Sequence, residues 1–115
     1  MRRIFASDIH LQAERPDITD VFCYFLLEIV PTAQELYLLG DIFEAWIGDD
    51  FQDPVLDRIC PLLSALSTSG TSIYLQHGNR DFLLGKRGAD LLSAQLLPSE
   101  HFISLPQGKV LLMHG

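Results

Sequence analysis

The sequence predicts an α/β domain of parallel strands joined by crossover helices. Three observations carry that expectation. Short apolar runs of strand length recur at "RRIFAS", "ELYLL" and "TSIYLQH". The segments between them place apolar residues at helical spacing. Each run then stops at a polar or glycine-containing turn, "SDIH", "GDIF" and "HGNRD". Parallel partners need a long crossover, usually a helix, so strand-helix-strand alternation implies parallel pairing.

The elements follow in chain order. "RRIFAS" reads as a first strand ending at Asp8. From Asp17 to Val30 a helical stripe runs through Ile18, Val21, Phe22, Phe25, Leu26 and Ile29, with Pro16 and Pro31 as punctuation. "ELYLL" is the second strand and ends at Gly40-Asp41. Val55 to Leu66 forms the second helix, with Leu56, Ile59, Leu62, Leu63 and Leu66 as its stripe. Ser69-Gly70 closes it. "TSIYLQH" is the third strand, ending at Gly78-Asn79. Gly85 to Leu92 is a third helix. "FISL" and "KVLLMH" around Pro106-Gln107-Gly108 form a hairpin. The expected order is β-α-β-α-β-α-β-β, without repeats or linkers.

Composition bounds the function. The chain has 115 residues, 48% of them hydrophobic and 20% charged, enough for one packed domain and unlike a disordered chain. A net charge of −7 argues against general nucleic-acid binding, which needs a basic field. It suits binding of divalent cations. Cys23 and Cys60 sit in apolar helical segments with no CxxC and no zinc-type spacing, so they read as reduced, buried thiols. No apolar run approaches the roughly 20 residues of a membrane span, and the start lacks a signal-peptide core. A cytoplasmic location is expected.

In open α/β sheets ligands bind beyond the carboxyl ends of the strands. Here those ends carry Asp8 and His10, then Asp41, then Asn79, then His114. Asp8 and His10 stand two apart, which puts both on one side of an extended segment. Gly40 and Gly78 permit a sharp turn that presents the next side chain. Taken singly, each residue is equally a turn, a cap or a core histidine. Four successive strand ends bearing oxygen and imidazole donors form the signal. That donor mix suits Mn²⁺, Fe²⁺ or Zn²⁺ better than Ca²⁺ or Mg²⁺ alone. Two metals sharing one carboxylate would explain the convergence.

"DIH", "GDIF", "GNRD" and "MHG" resemble, in order, the first four blocks of the calcineurin-like binuclear metallophosphoesterases. The longer blocks "LLGDIFEAWIGDD" and "HGNRDFLLGKR" are similar to the branch of that family that hydrolyses the diphosphate of a UDP-linked diacylglucosamine lipid in lipid A synthesis. The likeness runs from Arg3 to Gly115. It implies a sandwich of two sheets faced by helices. It implies Asp8 and His10 on a first metal, Asp41 bridging, and Asn79 and His114 on a second, with Mn²⁺ as the expected ion. It implies a lipid substrate and, through that lipid alone, peripheral contact with the inner membrane. Another phosphodiesterase or nucleotide pyrophosphohydrolase of the family is the alternative, and a non-catalytic module a further one.

Arg80 narrows the substrate. Many members have Gly-Asn-His where this chain has Gly78-Asn79-Arg80. Arginine cannot be a general acid near neutral pH, but it clamps phosphate in a bidentate fork. A phosphate leaving group needs little protonation, so Asn79 and Arg80 are expected to bind a diphosphate; pairing of Arg80 with Asp81 or Asp50 is the structural alternative. His77 reads as a core or supporting residue, and His101 as surface in a polar loop. Lys86 and Arg87 either add positive potential near the phosphates or start a solvated helix. Asp49, Asp50, Asp53 and Asp57 lack EF-hand spacing and read as loop and helix-start acids. Phe43, Trp46, Phe82 and Leu83 are either core or an acyl-chain surface.

The family's fifth block, Gly-His-x-His, completes both metal sites and does not occur in these 115 residues. The family fold is also about twice this length. The expectation is a single truncated domain over 1–115, an N-terminal fragment with weak metal binding and little turnover by itself.

Overall fold

A computed structural model of the chain describes residues 2–43, 54–76, 86–97, 100–105 and 108–113, with 86–87, 100–105 and 108–113 described by backbone alone. The strands are β1 (Arg3–Ala6), β2 (Glu35–Leu39), β3 (Ser72–Gln76), β4 (Gln95–Leu96), β5 (Glu100–Leu105) and β6 (Gly108–Met113). The α-helices are α1 (Pro16–Tyr24), α2 (Pro54–Thr68) and α3 (Lys86–Leu91). Strands β1 to β4 form one sheet in sequential order, every pair parallel. Strands β5 and β6 form an antiparallel hairpin. The α/β class and the parallel pairing are borne out.

One element was not expected. Strand β4 has two residues, too few for any alternation to appear, and pairs Gln95 and Leu96 with Tyr74 and Leu75. His101, expected in a loop, lies within β5, its backbone opposite Leu112.

The first helix also differs. It turns from α to π over Phe25–Ile29 and then to 3₁₀ over Val30–Thr32. The buried residues are Thr19, Phe22, Cys23, Leu26 and Val30, whereas Val21 is 69% exposed. Residues four apart drift by about 40° per step around a regular α-helix. The wider π turn takes up an extra residue and keeps Phe22, Leu26 and Val30 on one face. Val21, Tyr24, Leu27 and Ile29 are left outside. Helix α2 follows its expected stripe, burying Val55, Leu56, Ile59, Leu63 and Leu66. Pro61 stands inside it, on the exposed face together with Asp57, whose freed carbonyl can meet water.

Side-chain alternation divides the sheet. Ile4, Ala6, Leu36, Leu38, Ile73 and Leu75 join the helical residues in the main core. On the opposite face, Phe5, Tyr37 and Tyr74 stand in register across three strands. Their rings stack at centroid distances of 5.0 and 4.9 Å. Cross-strand pairs also close the amino end: Arg3 Nε lies 2.5 Å from Glu35 Oε1. Both cysteines are free, Cys23 buried and Cys60 half-buried. No helix among the described residues is long and apolar enough to cross a membrane.

Candidate metal centre

Two loops at the carboxyl ends of β1 and β2 build the centre. Strand β1 stops at Ala6, and Asp8 and His10 then adopt left-handed backbone conformations, with φ of 55° and 57°. Strand β2 stops at Leu39, Gly40 turns at φ 87°, and Asp41 follows at φ 50°. The loops are pinned to each other by backbone bonds. The Asp8 N–H donates to the Gly40 carbonyl at 3.1 Å, and the His10 N–H to the Asp41 carbonyl at 3.0 Å. The Leu11 N–H donates to the Ile42 carbonyl at 2.8 Å.

This folding brings one ligand atom each of Asp8, His10 and Asp41 within 4.8 Å of one another. Asp8 is exposed, His10 half-buried and Asp41 only 6% exposed. One side of the cluster is thus open and the other walled by protein. The Ser7 hydroxyl donates to Asp8 Oδ2 at 3.3 Å. Two carboxylates and an imidazole that converge like this match the donor set of a borderline divalent ion.

The grouping of Asp8 with His10 was expected, but its cause is different. An extended segment would place residues two apart on one side by alternation. The chain instead uses two left-handed residues with Ile9 between them. Left-handed geometry costs an L-residue on the order of 1–2 kcal/mol, and Asp, Asn and His tolerate it best. Sequence reading also left Phe43 between core and acyl surface; it is 2% exposed and packs in the main core. Asp57 is exposed in the first turn of α2, as a helix-start acid should be. Asn79, Arg80 and His114 lie outside the described residues, as do His77, Asp49, Asp50, Asp53, Asp81, Trp46, Phe82 and Leu83. Leu11 and the register it continues were missed, because a single leucine after "DIH" carries no periodic signal.

The chain is 51% identical over 115 residues to the UDP-2,3-diacylglucosamine hydrolase of Pseudomonas aeruginosa (strain UCBPP-PA14), covering 100% of this chain and 48% of that protein. It is 49% identical over 115 residues to the enzyme of that name from Stenotrophomonas maltophilia (strain K279a), covering 100% and 46%. For the Haemophilus influenzae (strain PittGG) enzyme of that name the identity is 44% over 111 residues, covering 96% and 47%. No family model matches the chain. Among solved structures, a protein of unknown function from Aquifex aeolicus superposes with a TM-score of 0.68 at 21% identity, over 99% of this chain and 61% of that one. That likeness concerns the fold alone. Along its whole length the chain is a homologue of the UDP-2,3-diacylglucosamine hydrolases, and it spans about half the length of the curated relatives it matches.

Proposed function

We propose that this chain carries part of a two-metal hydrolytic site that cleaves the diphosphate of UDP-2,3-diacylglucosamine, giving UMP and 2,3-diacylglucosamine 1-phosphate. The observation that supports it most is the convergence of Asp8, His10 and Asp41 within 4.8 Å at two adjacent strand ends. It occurs in a chain 44–51% identical to hydrolases named for that substrate.

Asp8, His10 and Asp41 would hold one cation, and Asp41 would also serve a second, which Asn79 and His114 would hold. Mn²⁺ is the ion we favour, since imidazole and carboxylate together suit it. Such a pair of cations polarises the phosphoryl group and lowers the pKa of water. The chain's own residues do the remaining work. Asp41 is walled by protein on one side, so its carboxylate is held in place as the substrate docks. Arg80 clamps the diphosphate and offsets its charge without donating a proton. A location in the cytoplasm, with peripheral contact at the inner membrane, follows from the lipid substrate.

The experiment is a hybrid in which this chain replaces the 115 aligned residues of the Pseudomonas aeruginosa hydrolase. With Mn²⁺, the hybrid is expected to release UMP from UDP-2,3-diacylglucosamine in preference to simple nucleotide diphosphates. A hybrid that folds and binds metal but leaves this substrate intact would overturn the assignment.

A further inference from the structure

Parallel pairing between β1 and β2 begins with Arg3 opposite Glu35 and ends with Ala6 opposite Leu38, an offset of 35 − 3 = 32. Both chains then leave strand geometry and pass through the left-handed residues Asp8, His10, Gly40 and Asp41. Beyond them, Leu11 and Phe43 pair again as an isolated parallel bridge. Its offset is 43 − 11 = 32, the same as in the strands. The two excursions are therefore equal in length, and the ladder closes on both sides of the ligand loops. Leu11 and Phe43 are each 2% exposed and belong to the main core.

We propose that Leu11 and Phe43 are positioning residues: a buried clasp that holds the Asp8, His10 and Asp41 loops in their ligating arrangement before any metal arrives. The physical reason is the contrast between the two regions. Left-handed Asp and His have no local preference strong enough to hold this geometry. An apolar pair anchored in a close-packed core cannot shift without opening a void. The backbone bonds Leu11 N–H to Ile42 carbonyl and His10 N–H to Asp41 carbonyl connect the clasp directly to the ligand loops. The inference rests on the metal reading given above, and it adds residues that touch no ligand.

The test uses the 115-residue chain with Leu11→Ala, Phe43→Ala, the milder Phe43→Leu, and Leu63→Ala as a core control on α2. Two quantities are read: Mn²⁺ affinity by titration calorimetry, and amide hydrogen exchange at Asp8, His10 and Leu11 without metal. Loss of an outer-shell partner typically weakens metal binding about 10- to 100-fold. Leu11→Ala and Phe43→Ala are expected to weaken Mn²⁺ binding about tenfold and to speed exchange at all three amides. Phe43→Leu should recover most of both, and Leu63→Ala should lower the melting temperature while leaving both near those of the unsubstituted chain. Equal changes in Leu63→Ala and Phe43→Ala would reduce the clasp to general stability and overturn the proposal. So would unchanged exchange in Leu11→Ala, if Phe43→Ala fails to fold. A chain that binds no Mn²⁺ but loses exchange protection as predicted would sink the metal reading and leave the clasp standing as a loop-ordering device.

Discussion

Replacing Asp41 by Asn separates the metal site from the fold. Asn is nearly isosteric and tolerates the left-handed backbone at φ 50° as well as Asp does. The metal-free chain should therefore keep its fold, with a melting temperature within about 4 °C of the unsubstituted chain, roughly 1 kcal/mol for a domain of this size. Metal should then tell the two apart. A ligand that binds only the native state at a hundred times its Kd adds about 2.7 kcal/mol. Unfolding 115 residues carries an entropy near 0.24 kcal/mol per kelvin, so the unsubstituted chain should gain about 11 °C. Asp41 is the walled-in member of the three residues whose donor atoms converge within 4.8 Å. Loss of its charge should weaken binding by at least about a hundredfold, the upper range for merely supporting groups. At the same Mn²⁺ concentration the gain then falls to about 0.4 kcal/mol, or about 2 °C. Differential scanning calorimetry at several Mn²⁺ concentrations measures both. An equal Mn²⁺-induced rise in the two proteins would refute the assignment of Asp41 as a ligand.

Three further outcomes are expected. In the hybrid with the Pseudomonas aeruginosa enzyme, Arg80→Ala should cut kcat/KM at least tenfold with metal content unchanged, and normal turnover would remove the clamp. Tyr37→Ala deletes the buried centre of the aromatic row, 3% exposed between Phe5 and Tyr74, and should cost about 3 kcal/mol, or about 12 °C. Urea denaturation reads it, and a loss under about 1 kcal/mol would mean the row is not a packing unit. Burial, and then the charge of Asp57, push the Cys60 thiol above its ordinary value. Its reaction with a disulfide reagent should therefore need more alkaline pH than a free thiol. The folded chain holds that proton more tightly than the unfolded one, so stability should fall as pH rises past the free thiol's range, near 8.5, and Cys60→Ser should flatten that fall.

Much of the architecture was legible because burial writes periodicity into sequence. "ELYLL" became β2 residue for residue, and the α2 stripe was recovered almost entirely, since most of both is buried. The first helix shows where this fails. Its apolar residues outnumber the places on one face, so composition cannot say which lie outside, and the π turn chose Val30 over Ile29. Strand β4 is defined by what it pairs with, not by its own two residues. At the site, residue types pointed to ligands, but the backbone that presents them was misread. Alternation along an extended segment is a rule about strands, and Asp8 and His10 lie past the end of one.

The left-handed backbone bears on why the buried strand β2 runs straight into an acid, Asp41. Gly-Asp after a strand is ordinarily a turn, and a turn needs only residues that accept left-handed geometry at no cost, above all glycine. Gly40 meets that need alone. Yet three neighbouring left-handed positions hold Asp8, His10 and Asp41, each less comfortable there than glycine by on the order of 1 kcal/mol. A chain shaped only for reversal has no reason to accept that strain three times within one small cluster. It has a reason if the side chains themselves are required, and all three converge on one point. The strain and the convergence are separate observations. Neither depends on similarity to any relative, and both are what a centre that could hold a cation would require.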